Sequence, residues 1–395
     1  MKRKINEWFS GVSRTFAREM SLVLKDVGVM TFFFVLPLFY PLVYTLIYNP
    51  ELVRNIPVAV VDDCRTAGSR ELVRMADATE AMDIMGYPAN IGEARRLMNE
   101  KECYGILYIP EDYSRRIGRG EQGVVAFYSE MSLLMRYRAF LSALTDLQLQ
   151  TGAQVRHELL DALGASSSGQ MSSPVSNEAY FIGDPTQGFA SFVIPGIVIL
   201  ILQQSMLLGV TMLAGNSAER RRRNGGVDPL AVVCPQSAGI IGRMLCYVVV
   251  YIPMSIYVLH YVPLMFDLPH IGDAADYLLF IVPLLVASAF LGMTLQVFVK
   301  ERESSMLVLV FTSVVFLFLS GLTWPRYAMS PLWKLISDCV PATWGVEGFI
   351  HINSNGSTLS DVAHPYLILW GLAAVYFVTA YIVGRHQQRK SLKAG

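Results

Sequence analysis

The run MTFFFVLPLFYPLVYTLIY at residues 30–48 carries no charge, and it gives way at once to NPELVRNIPVAVVDD at 49–63, where charged and turn-forming residues return. The first stretch, about 20 apolar residues, matches a hydrocarbon core roughly 30 Å thick. The second opens a polar insert, from about residue 49 to residue 184, and five further apolar runs follow between residues 188 and 384. One crossing, one sizeable soluble domain and five more crossings define the expected fold class. It is a polytopic α-helical membrane protein with six transmembrane helices and an inserted extracytoplasmic α/β domain.

Composition agrees. Hydrophobic residues make up 53% and charged residues 16% of the 395, below the roughly 25% charge of soluble domains. The five cysteines form no CxxC pair and no His/Cys spacing that suits a metal, which argues against zinc and redox chemistry. Lys2, Arg3 and Lys4 precede an apolar segment as in a signal peptide, but that segment begins near Gly28, contains Pro37 and Pro41 and lacks a small-residue cleavage pattern. A retained anchor is expected instead.

Taken in order, residues 1–27 hold an amphipathic helix, with Ile5, Trp8, Phe9, Val12, Phe16, Met20 and Val23 at three- and four-residue steps. Span one is 28–48. In the insert, 49–187, Ile56 to Asp62 is a β-branched run ending in a turn, and helices are expected near 69–79 and 92–101. Cys103 to Ile109 is a second buried strand and Val124 to Tyr128 a further strand, with parallel pairing of the first two implied by the intervening helices. If so, Cys64 and Cys103 lie about 20 Å apart, too far for a disulfide. A long helix, 132–163, carries Leu133, Tyr137, Phe140, Leu141, Leu144 and Leu147 as a stripe, which either completes the domain's own core or grips an adaptor. The Ser/Gly tract 165–173 is a linker. Spans two to six fall at 188–214, 244–266, 277–299, 304–322 and 365–384, with a loop at 215–243, interfacial short helices at 323–364 and a tail at 385–395.

Orientation follows from Lys and Arg. Residues 1–27 hold six, 215–243 five, 299–303 two and the tail four, whereas the short loops opposite hold only Arg326 and Lys334. The positive-inside rule then puts both termini in the cytoplasm and the insert outside. The net charge of zero is a cancellation between a basic side and an acidic one.

No nucleotide-binding P-loop, H-E-x-x-H or G-x-S-x-G occurs, so the chain is not expected to be an enzyme. Several stretches resemble the type-2 permease subunits of ATP-binding-cassette exporters. AREMSLVLKD at 17–26 is similar to the family's interfacial connecting helix. IPVAVVDD at 56–63, EARRLM at 93–98, YGILYIP at 104–110 and residues 113–120 resemble the extracytoplasmic domain of the drug-exporter branch. LSGLTWP at 319–325 is similar to its outer re-entrant signature, followed by Met329 to Pro331 and Pro341 to Thr343, while Pro235, Gly242 and Arg243 fit the end of the cytoplasmic loop. The beginning of that loop departs from the pattern: Val227 stands at a Thr position and Pro229 where an acid is common.

The resemblance implies a bacterial inner-membrane dimer of permeases, homo- or heteromeric, joined to separate nucleotide-binding ATPase subunits. ATP and Mg²⁺ sit on those partners, the chain itself holding no cofactor or metal. It also implies contact with membrane lipid, no nucleic acid in any role, and room for a periplasmic adaptor. Coupling to the ATPase is expected at Arg18, Glu19, Lys25, Asp26, Glu219, Arg220, Arg221, Arg222, Arg223 and Gly226, although the arginine run also suffices to set topology. Ser320, Gly321, Trp324 and Pro325 form the outer re-entrant motif. Gln203 and Gln204, about 100° apart on span two, either bond neighbouring helices or line a substrate path. Gln296 reads as a packing or interfacial residue, His260 as a spectator, and Pro37, Pro41 and Pro195 as kinks or hinges. The expected function is export of an amphipathic small molecule, such as a drug, lipid or metabolite. The alternative is a membrane-anchored sensor whose insert binds an outside ligand.

Overall fold

A computed structural model describes residues 2–48, 53–130, 134–162 and 189–394. They divide into two units, residues 1–51 with 180–395, and residues 52–179. The membrane-like unit opens with helix α1 (Lys2–Lys25). Its packed face is Val12, Thr15, Glu19 and Val23, while Phe9 stays 62% exposed. The apolar stripe is therefore split, because α1 docks through small residues as well as large ones. A Cβ on Gly242 would lie 2.7 Å from the Val12 carbonyl oxygen and 2.8 Å from Thr15 Cβ. Helix α2 (Val27–Tyr48) follows after a break at Asp26, whose carboxylate accepts from the Gly28 and Val29 amides. A π turn at Thr31–Val35 precedes Pro37 and Pro41. It directs Phe33 inward, edge-on to Tyr247 and Tyr251 at centroid distances of 5.8 and 5.2 Å.

The inserted unit is built on strand β1 (Ile56–Asp62). Helix α3 (Ala67–Asp77), β2 (Met82–Gly86), α4 (Ile91–Asn99), β3 (Gly105–Ile109), α5 (Tyr113–Gly118), β4 (Ala126–Ser129) and α6 (Leu134–Ala162) follow. The sheet order is β2-β1-β3-β4, with β1 parallel to both neighbours and β4 antiparallel to β3. Val58 and Val60 pack toward α3 and α6; Ala59 and Val61 pack toward α4. Burial on both faces is why β1 reads as an unbroken apolar run. The β1–β3 pairing is parallel as expected, and both Cys64 and Cys103 are free thiols. Strand β2 and helix α5 were not anticipated: MDIMG lacks a β-branched run, and only Met82 of that strand is buried. Phe140, Ala143 and Leu147 of α6 enter the core, so the first half of that helix completes its own domain. Leu133 and the Ser/Gly tract lie outside the described residues.

The rest of the first unit contains α7 (Phe189–Arg223), α8 (Gln236–Met265, with a π turn at Tyr257–Tyr261), α9 (Ala274–Leu295), α10 (Ser304–Leu319), α11 (Pro331–Asp338), α12 (Pro341–Asn355) and α13 (Ala363–Ala394). Helix α7 is the hub, its apolar window 89% buried against 17% for that of α13, and it packs against α2, α9, α10 and α12. Among the described residues, five helices are long and apolar enough to cross a membrane. The sixth expected span, α10, has 16 residues, about 24 Å of helix. It ends at Leu319, three residues early, where the hydroxyls of Ser337 and Thr343 donate to the Leu319 carbonyl at 2.7 and 3.3 Å.

Two boundaries are corrected. The expected loop 215–243 is helical at both ends and irregular only between Asn224 and Pro235. Arginine is a good helix former and a cation suits a helix C-terminus, so α7 runs on until Gly225 and Gly226, at φ +62° and +95°, stop it. The tail is likewise no separate segment, since α13 continues to Ala394.

Gly242→Val should force α1 away from α8. We expect destabilisation of about 1–3 kcal/mol and faster proteolysis within α1, measured in detergent by thermal unfolding and limited digestion. Gly371→Ala, where a Cβ meets nothing within 4 Å, should leave both readouts unchanged.

Candidate functional site

Three basic segments far apart in sequence meet at one end of the bundle: the end of α1, the last turn of α7 with its following loop, and the turn between α9 and α10. Asp228 is the centre of the first junction. Its Oδ2 accepts from Ser217 Oγ at 2.7 Å, Arg18 Nη2 at 3.2 Å and Arg220 Nη2 at 3.2 Å. Oδ1 accepts from Arg220 Nε and the Leu230 amide, both at 3.0 Å. Burial pushes this carboxyl up, but hydrogen bonds from Arg220 and Ser217 outweigh it and hold Asp228 below its ordinary value. Glu19 is buried beside it, accepting from Tyr247 Oη at 2.6 Å and lying 3.6 Å from Arg18 Nη1.

Asp26 anchors the second junction. Besides capping α2, it accepts from Arg302 Nη2 at 2.8 Å and Asn216 Nδ2 at 2.6 Å. The Arg302 amide donates to Glu219 at 2.7 Å, and Arg222 pairs with Glu301 at 3.0 Å. The structure thus gathers Arg18, Glu19, Asp26, Glu219, Arg220 and Arg222 into one network. Arg221 donates to Ser217 Oγ at 3.2 Å. Arg223 is 4.0 Å from Glu219 with its side chain 82% exposed, Gly226 donates its amide to the Arg221 carbonyl at 2.7 Å, and Lys25 is exposed at the end of α1.

Asp228, Arg302 and Tyr247 were not singled out in the sequence. Pro229 stands where relatives often carry an acid, and the residue before it, Asp228, is the acid that this chain has there. Arg302 was visible only as a charge that sets orientation.

A family model described as ABC-2 family transporter protein matches residues 28–382. The chain belongs to that family. No curated protein matches it. As an ABC-2 member it is a multi-pass membrane permease subunit of an ABC transporter, a transport component whose family implies partnership with an ABC ATPase subunit. The matched span begins at Gly28, so Asp26 and the whole of α1, which supplies Arg18 and Glu19 to the network, lie outside it.

Within the ABC-2 bundle, Gln203 and Gln204 are both buried, at 1% and 8% exposure. Gln203 Oε1 accepts from Ser288 of α9 at 3.4 Å, and Gln204 Oε1 from Thr312 of α10 at 3.2 Å. Ser205 accepts from Tyr251 of α8 at 3.0 Å. Three consecutive polar residues therefore tie the hub to three different helices. Gln296 is buried at the end of α9.

At the opposite end, Ser320 Oγ donates to the Leu317 carbonyl and accepts from the Leu322 amide, turning the chain through Gly321 at φ +86°. Pro325 leads into a short 3-10 turn and Trp324 is exposed. Next to this motif, Arg326 stacks 4.0 Å over Trp344 and pairs with Asp338 and Glu347. His260, expected as a spectator, lies 2.9 Å from His270, whose Nδ1 is 3.1 Å from Asn353 Oδ1. Asn353 donates Nδ2 to the Pro269 carbonyl, which orients its oxygen toward His270. His270 Nδ1 then donates, and its Nε2 accepts from His260. Burial lowers the His270 pKa below its ordinary value, with His260 adding to the effect.

Asp228→Asn should cost about 3 kcal/mol, because it leaves guanidinium groups facing a neutral amide in a buried junction. The folded pKa of Asp228 is depressed, so its contribution is complete above about pH 4 and is lost only as pH falls through the lower folded value. Wild-type and variant melting curves should therefore stay a constant distance apart from pH 8 to 5. For His270, also depressed, stability present above about pH 6.5 is lost on acidification. Hydrogen exchange of residues 266–273, corrected for intrinsic rate, should speed up between pH 7.5 and 5.5, and His270→Gln should flatten that dependence.

Proposed function

We propose that this permease exports an amphipathic small molecule from the bacterial cytoplasm, across the inner membrane, powered by ATP and Mg²⁺ on a separate nucleotide-binding subunit. The observation that carries the reading is the network joining α1, the α7 terminus and the 299–303 turn in a chain of ABC-2 family. Segments that hold most of the Lys and Arg outside the insert converge there, which favours that end as cytoplasmic under the positive-inside rule. The insert is then extracytoplasmic, where it caps the exit path or docks an adaptor, and a second permease subunit completes the pathway.

Coupling to the ATPase is assigned to the exposed face of this network. Arg18 and Arg220 turn inward onto Asp228, whereas Arg223 and Arg222, the latter paired with Glu301, keep more than half of their side-chain surface exposed, so these two and the 224–235 loop are the groups suited to meet a partner. An ATP-driven movement there would be relayed through α1 and α7 together, biasing two states of the bundle. Among the described residues, the Nε2 atoms of Gln203 and Gln204 are buried without a hydrogen-bond partner. Unmet donors in the middle of the hub suit a substrate path that forms in another state, because their cost is recovered when an acceptor arrives.

Purification in mild detergent with the neighbouring gene products should recover an ATPase whose activity requires this chain. Recovery of the permease alone, in good yield, would remove the proposed energy source. Arg222→Glu with Arg223→Glu should leave insertion intact and reduce substrate-stimulated ATP hydrolysis about tenfold or more, in line with loss of interfacial charge pairs. Unchanged coupling would leave the arginine run with topology alone.

A further inference from the structure

Beside the Asp228 junction lies a cavity of about 260 Å³ between α1, α7, α8, α9 and α13. Arg18, Arg221 and Arg243 line it together with Thr15, Ser217 and Gln296. A smaller cavity shares the same three arginines, along with Glu19 and Arg220. Four guanidinium groups thus surround these spaces, and the two carboxylates among them are already engaged: Asp228 by Arg18, Arg220 and Ser217, and Glu19 by Tyr247. Arg221 donates to the Ser217 hydroxyl and Arg243 to the Gly239 carbonyl. Among the described residues, neither has a carboxylate within ion-pair distance. Positive charge is in excess by two in a partly enclosed space, where it is screened less than at an open surface.

We propose that this cavity binds a phosphate group, held by Arg221 and Arg243 with a hydroxyl donor from Thr15. Planar guanidinium forks match phosphate oxygens, and charge-assisted bonds of this kind are the strong ones. The volume is below the roughly 300–1,000 Å³ of pockets that enclose drug-sized ligands, so it admits a headgroup rather than a whole amphipathic molecule. A free phosphate and the headgroup of an anionic lipid share this chemistry. The lipid source rests on the proposed placement of this end of the bundle at the inner membrane face; the phosphate site does not.

The test uses the purified full chain in neutral detergent at constant ionic strength. The probes are dioctanoyl phosphatidic acid, inorganic phosphate and, as a control, dioctanoylglycerol. Cys234 lines the cavity and Cys339 is exposed elsewhere, so maleimide labelling of the two reports occupancy without any substitution. Phosphatidic acid should slow labelling of Cys234, leave Cys339 unaffected and raise the melting temperature saturably. Inorganic phosphate acting likewise would identify free phosphate as a sufficient ligand; activity of phosphatidic acid alone would identify the lipid headgroup. Arg221→Gln with Arg243→Gln should raise the half-saturating concentration about tenfold or more, while Arg223→Gln, which removes an exposed charge, should not. The proposal is overturned if neither phosphate probe protects Cys234, if dioctanoylglycerol protects equally, or if the double variant responds as wild type. Protection by an assembled ATPase subunit but by neither probe would overturn it in favour of a partner carboxylate. No ATP is added, so failure here leaves the transport reading standing, and a missing ATPase leaves this site standing.

Discussion

Charge that ends a buried helix has to be answered by charge from elsewhere in the chain. Helix α7 is the most enclosed of the spanning helices and finishes in four arginines. The first of them, Arg220, is fixed by Asp228, which returns five residues after the run and accepts from Arg18 and Arg220 together. A buried pair of this sort adds little net stability against an apolar alternative, yet removing one partner is costly. Its consequence is mechanical. Helix α1, the hub and the loop that follows the hub are one body at that end, and Asp26 with Arg302 adds the start of α10.

The same logic operates deeper in the bundle at lower cost. Apolar side chains do not select one helix neighbour over another in lipid, so small residues and polar contacts set the packing. Gly242 lets α1 approach α8 closely, and Gln203, Gln204 and Ser205 each fasten α7 to a different neighbour. A bundle held at its middle by weak individual bonds and at its end by a dense charge network is suited to moving as groups of helices. Two unmet amide donors at that middle mark where such a movement has something to gain.

Much of this was legible in advance. Hydropathy located the spanning helices, although α7, α8 and α13 extend beyond their expected ends, and the β-branched run at Ile56 to Asp62 located the central strand of the insert. What failed did so for identifiable reasons. Helix α10 ends early because hydroxyls from α11 and α12, which no local pattern announces, satisfy its last carbonyl. The arginine run was assigned to a loop because dense charge looks like a stop, although helix propensity carries the helix through it to Arg223. Of the candidate coupling residues, Arg18, Glu19, Asp26, Glu219, Arg220 and Arg222 meet in one network, but Asp228, which holds Arg18 and Arg220, was not singled out.

Sequence alone determined the order of apolar and polar segments, the asymmetry of Lys and Arg, and the α/β character of the insert, because each follows from transfer free energy and local periodicity. Tertiary structure decided which charges meet. Arg18 and Asp228 are separated by 210 residues, and Asp26 and Arg302 by 276. An ion pair carries no local signature at such distances, since either partner reads by itself as an ordinary solvated charge, and only the packing of α1 against α8 and the path of α7 bring them within reach.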